Sequence, residues 1–75
     1  MKSTPIRLLI EEGVISRVEA QPNKDNWQVV FYRKTTGHQP ILYEKDTGGT
    51  RRFKSLEACL TLIKSLGLKK MEVIF

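Results

Sequence analysis

Arg51-Arg52-Phe53-Lys54-Ser55-Leu56-Glu57-Ala58-Cys59-Leu60-Thr61-Leu62-Ile63-Lys64-Ser65-Leu66-Gly67 is the one stretch of this chain in which a helix start, body and stop are all written. Ser55 suits the N-cap, because its hydroxyl can accept from a first-turn N–H that has no partner inside the helix. Glu57 follows near the positive end of the helix dipole. Gly67 can take the left-handed conformation that closes a helix. Leu56, Cys59, Leu60, Ile63 and Leu66 recur at steps of three and four, which makes a single apolar stripe. A stripe on one side only needs a second layer to cover it.

That layer is written upstream. Trp27 to Arg33 is the strongest strand signal: Trp27, Val29 and Phe31 point one way and Gln28, Val30 and Tyr32 the other. Both faces are partly apolar, as in a central strand. Val14 to Ala20 reads as its neighbour, with Val14, Val18 and Ala20 on one face and Arg17 and Glu19 on the other. Gln21 to Asn26 is a polar turn, Lys34 to Pro40 a loop and Ile41 to Lys45 a further strand. Asp46 to Gly49 turns the chain into a short strand, Thr50 to Phe53, and Lys69 to Phe75 alternates as a final strand. Residues 4–12 admit two readings. Thr4 as N-cap, Pro5 as first helical residue and Gly13 as stop would make a short helix. Glu11 and Glu12 would then lie at its negative end, so the favoured reading is a strand from Ile6 to Ile10, turning at Gly13.

The expected fold is therefore α+β. A small antiparallel sheet of three to five short strands carries one helix, from the C-terminal half, on one face, and a last short strand completes it. Trp27, Val29 and Phe31 should bury against Leu56, Leu60, Ile63 and Leu66. The open face should carry Gln28, Val30, Tyr32 and Lys34 with Arg17 beside them, in a register that a one-residue bulge would reverse.

Seventy-five residues make one domain, 1–75, with one modest core. A composition 40% hydrophobic and 28% charged is that of an ordinary globule. No run approaches the roughly 20 apolar residues that span a bilayer, and the start is too soon charged for a signal peptide, so a cytoplasmic protein without membrane association is expected. Cys59 is the single cysteine, so no internal disulfide is available. It belongs to the helix stripe, and His38, the single histidine, lies in a loop. Neither belongs to a nucleophile–base set or to a cluster with metal-ligand spacing. No catalytic residue, cofactor or metal is expected.

The net charge is +5, and residues 26–75 hold all of the excess, with nine basic side chains against four acidic. Such a balance attracts polyanions, of which nucleic acid is the commonest in a cytosol. The candidate nucleic-acid-binding residues are Arg17, Tyr32, Arg33, Lys34, Arg51, Arg52 and Lys54. Arginine and lysine would meet phosphates, and Tyr32 with Gln28 could reach a base edge. Gly48 and Gly49 ahead of Arg51 and Arg52 could expose main-chain N–H groups to a phosphate, or could simply serve a hairpin turn. Trp27 could stack on a base but is better placed as a core anchor. The final strand offers an uncovered edge through which two copies could pair, so a homodimeric interaction module is the second expectation.

Strands followed by a turn, Arg-Arg-Phe-Lys-Ser-Leu-Glu-Ala and a helix closing in Leu-Gly resemble small bacterial βββα modules. Among these are the arm-binding domains of tyrosine integrases, which lay a three-stranded sheet in the DNA major groove. The tract is also similar to short proteins of plasmids and integrative elements, some of them partition-associated. The resemblance spans roughly residues 14–67 and implies a DNA-binding accessory role, DNA before RNA. The final strand has no counterpart in the integrase modules.

Overall fold

The computed structural model describes residues 1–75. Its elements run α1 (Ser3–Glu11), β1 (Ile15–Asn23), β2 (Asn26–Arg33), β3 (Ile41–Leu42), α2 (Leu56–Ser65) and β4 (Glu72–Val73). The strands form one sheet in the order β3-β2-β1-β4. Neighbours are antiparallel except β4, which runs parallel to β1. The architecture is α+β as the patterning requires, with a mixed rather than purely antiparallel sheet.

The β1–β2 hairpin sets the frame. Pairing runs from Asn23↔Asn26 to Arg17↔Tyr32, so the strands reach deep into the expected polar turn and only Lys24 and Asp25 turn the chain. Lys24 takes a positive φ of 58°. Pro22 sits inside β1 opposite Trp27. It is tolerated because it shares the strand side of Ala20, whose carbonyl accepts from Ile74, and β4 ends before reaching it; the missing N–H therefore faces no partner. At the other end the register shifts between Ile15 and Arg17. That bulge turns Ile15 into the core in place of the expected Val14, which is only half-buried.

Ile6 of α1, Val18, Ala20, Val29 and Phe31 of the hairpin, and Cys59 and Ile63 of α2 with its C-cap Leu66 belong to a single buried cluster. Both helices therefore cover the same face of the sheet. Tyr43 and Phe53 extend the cluster through tilted ring contacts at 6.2 Å (Phe31–Tyr43) and 6.3 Å (Tyr43–Phe53). Ser55 caps α2 as expected, accepting from the Ala58 N–H at 3.1 Å. Leu60 departs from the expected packing: it is 37% exposed, and Cys59 takes the inward place. Burial pushes the Cys59 thiol pKa up, which leaves it a small apolar group rather than a nucleophile. Trp27 is half-buried and is bridged to Phe53 across the sheet.

The expected Ile6–Ile10 strand is a helix. Its N-cap is Lys2 without a side-chain cap, so the Thr4 capping signal is unused as well. Two terms decide the matter. Ile6 is fully buried, worth roughly 2–3 kcal/mol. Glu11 and Glu12 are exposed, where an unfavourable helix-end charge costs only about 0.3–1 kcal/mol. The helix is also closed well. Gly13, at φ 73°, donates to Ile10 while Val14 donates to Leu9, the paired C-terminal bonds of a Schellman motif. Gly67 and Leu68 close α2 with the same pair of bonds, to Lys64 and Ile63. The Met1 amine donates to the Leu42 carbonyl at 2.6 Å and to the Glu44 carboxylate, holding that carboxyl below its usual range.

Substitution tests this assignment. Ile6→Ala should cost about 2–4 kcal/mol in urea unfolding, whereas Leu8→Ala, at a position 54% exposed, should cost about 0.5 kcal/mol or less. Equal costs at the two positions would contradict a helix with Ile6 on its inner face.

Candidate nucleic-acid interface

The seven candidate residues fall into three places rather than one band. Arg17 and Tyr32 face each other across β1 and β2 on the uncovered face. Arg33 and Lys34 sit where β2 ends, beside Val14 and Ile15. Arg51, Arg52 and Lys54 lie on the segment between β3 and α2.

The uncovered face is a closed polar network built on Glu19. This carboxylate is the one charged group in the buried set, at 7% exposure. A buried charge must be hydrogen-bonded to be tolerated, and strand pairing supplies the donors. The Tyr32 hydroxyl donates to Glu19 Oε1 at 2.8 Å, and Gln21 Nε2 donates to the same oxygen at 2.9 Å. Arg17 Nε lies 3.4 Å from Glu19 Oε2 and 3.5 Å from Glu72 Oε2 on β4. Its guanidinium rests over the Tyr32 ring, 3.9 Å from the centroid, a cation–π arrangement. Gln28 donates to Gln21, and Asn23 donates to Gln28, which carries the network to the hairpin turn. The bonds from Gln21 and Tyr32, with a smaller contribution from Arg17, hold the Glu19 carboxyl below its usual range against the opposing effect of burial. The same bond to Glu19 raises the Tyr32 phenol.

Arg33 Nη1 lies 3.0 Å from His38 Nδ1. Arginine has no acceptor, so Nδ1 accepts and the ring proton sits on Nε2. Arg33 Nε is buried without a partner. Lys34 is exposed, and its main chain donates to the Val14 carbonyl at 2.8 Å.

The third group is built by a turn. Glu44 bridges Thr50, and Lys45 donates to the Gly49 carbonyl at 3.0 Å. Gly48 and Gly49 both hold positive φ, 95° and 83°. The hairpin-turn role of the glycines is thus realised, and the Gly48 N–H is occupied by the Lys45 carbonyl at 2.9 Å. Folding back in this way brings Lys45 against Thr50, Arg51 and Arg52 in one shallow cleft. Arg51 also lies over the Phe53 ring at 5.3 Å. Lys54 is exposed just ahead of the Ser55 cap. Every ion pair in the molecule involves Met1 or Arg17, so Lys45, Arg51, Arg52 and Lys54 have no carboxylate within 4.0 Å. Lys45 is not among the residues that the sequence pattern nominates. The signal was the double glycine, which places the residues on either side of a tight turn next to each other.

The chain matches no family model, no curated protein and no solved structure among those compared. No helix is long and apolar enough to cross a membrane.

The Glu19 network predicts a pH dependence. A carboxyl whose folded pKa is depressed takes up its proton first in the unfolded chain. Its contribution is complete above the ordinary value near 4.5 and is lost as pH falls through the folded one. Glu19→Gln should therefore destabilise by about 1–2 kcal/mol at neutral pH. Its deficit relative to the unsubstituted protein should shrink below pH 4.5, as read by urea midpoints from pH 7 to 3.

Proposed function

We propose that this protein is a small, basic, non-enzymatic accessory protein that binds nucleic acid, DNA in preference to RNA, in the cytoplasm. The observation that carries the reading is the convergence of Lys45, Arg51 and Arg52 with Thr50 in one cleft, the three cations without a carboxylate within 4.0 Å. Arginine forks suit phosphate oxygens, and the lysine adds a point charge. Lys54 continues the cationic line towards α2. Displacing counterions from phosphates would supply affinity without base reading. Of the two glycines, Gly48 donates internally and only the Gly49 N–H is left without a main-chain acceptor, so in this reading side chains would make most of the phosphate contacts.

Arg17, Tyr32, Arg33 and Lys34 form a second, weaker set in this reading. Arg17 and Tyr32 are already engaged with Glu19 and Glu72, so a polyanion on the sheet face would compete with two carboxylates. Origin in a plasmid or mobile element rests on the resemblance of the Arg-Arg-Phe-Lys-Ser-Leu-Glu-Ala tract. A second reading, a homodimer paired through β4, is favoured by Ile74 and Phe75, 43% and 97% exposed at that edge. Phe75 touches Trp27 only edge-on, with centroids 6.5 Å apart.

Fluorescence anisotropy with a mixed-sequence duplex separates the two. Affinity should fall steeply with salt. An Arg51→Ala/Arg52→Ala double variant should bind roughly tenfold more weakly or worse, with the slope of log affinity against log salt reduced by about two. Unchanged affinity and slope would remove the cleft from the reading. Salt-independent dimerisation in light scattering, abolished by Ile74→Lys, would favour the edge-paired homodimer instead.

A further inference from the structure

β1 is longer than the strand that covers its outer edge. β4 pairs only with Glu19 and Ala20, so the Ile15–Val18 part of that edge has no strand beside it. Extending the parallel register backwards would set Lys70 opposite Arg17, two like charges on one face, and Lys69 opposite the bulge at Ser16. Like charges directly opposed destabilise a strand pair unless a counter-charge joins them, as Arg17 joins the opposed Glu19 and Glu72, and a bulge interrupts the ladder. The chain instead leaves the sheet before Glu72, and Lys69, Lys70 and Met71 make no main-chain hydrogen bonds to other main-chain groups.

What remains is a groove of about 680 Å³ between the bare β1 edge and the 68–71 segment. Its apolar lining includes Val18, Leu68, Met71 and the outward-turned Leu60. Its rim carries Lys69 and Lys70, which have no carboxylate within 4.0 Å, while Arg17 is balanced by Glu19 and Glu72.

We propose that this groove docks an extended peptide segment of another protein, one that alternates aliphatic and acidic residues. The open edge supplies main-chain partners to an added strand, and the lining takes alternate aliphatic side chains. The acidic residues between them meet Lys69 and Lys70. A second copy entering this groove through its own final strand would bring Lys69 and Lys70 against the same two lysines of the rim. Nucleic acid would gain neither the strand edge nor the aliphatic lining. The groove and the Lys45–Arg52 cleft are separate surfaces, so this inference stands or falls independently of the nucleic-acid reading.

The test is a titration of the ¹⁵N-labelled full chain with the capped peptide acetyl-Val-Asp-Ile-Glu-Val-Asp-amide, followed by amide shifts. Shifts should concentrate at residues 15–18, at Leu60 and at residues 68–72. Lys69→Glu/Lys70→Glu, whose folding the same spectra report, should weaken binding about tenfold. A peptide with lysine at the acidic positions should not bind. Three outcomes would overturn the proposal: no shifts up to about 1 mM peptide, equal binding of the lysine peptide, or shifts confined to the Lys45–Arg52 cleft. A mixed-sequence duplex that moves the groove amides and displaces the peptide would assign the groove to nucleic acid instead.

Discussion

The register of the β1–β2 hairpin is the constraint on which the rest of the structure depends. Side chains alternate along a strand, so one register decides which residues meet the helices and which face outward. With Val18 opposite Phe31 and Ala20 opposite Val29, four apolar side chains form the floor on which Ile6, Cys59, Ile63 and Leu66 pack. The same register sets Arg17, Glu19 and Gln21 opposite Tyr32, Val30 and Gln28. The bulge at Ser16 reconciles two demands that strict alternation cannot meet together: Ile15 inward and Arg17 outward.

The outward set shows how a small protein can keep a carboxylate at 7% exposure. Glu19 is held by two neutral donors and one arginine, all delivered by β1 and its partner strand. The cation–π contact fixes Arg17 over Tyr32, and Glu72 ties β4 into the same cluster. This arrangement also redistributes the charge of the molecule. The sheet face, which patterning marks as basic, is internally compensated. Arg17 is the only lysine or arginine side chain with a carboxylate partner; among the others, those gathered at the Lys45–Arg52 turn and on the rim of the β1 edge groove line clefts, and it is there that partners are proposed.

Residues 3–11 show how local signals are weighed against tertiary ones. Pro5 and Gly13 spoke for a helix, and the terminal glutamates spoke against it. Burial prevails because an exposed charge at a helix end is screened by water, while the full burial of Ile6 depends on neighbours distant in the chain. Gly13 and Gly67 close their helices with identical bonding. The glycine signal that located the end of α2 was equally informative for α1.

Local pattern determined much of this protein by itself: the α2 helix with its Ser55 cap and Gly67 stop, the hairpin strands, the α+β class, the inward place of Val29 and Phe31, and the basic excess beyond residue 25. These are readable because each depends on residues within a turn or a strand of one another. Only the tertiary structure decided that α1 is a helix on the same face as α2, that β4 runs parallel to β1, that Arg17 is consumed by Glu19 and Glu72, and that Lys45 joins Arg51 and Arg52. Each of these depends on groups distant in the chain, or on a turn whose angle no periodicity encodes. Whether a charge is free or compensated is a property of its neighbours in space, and the order of residues along the chain does not contain it.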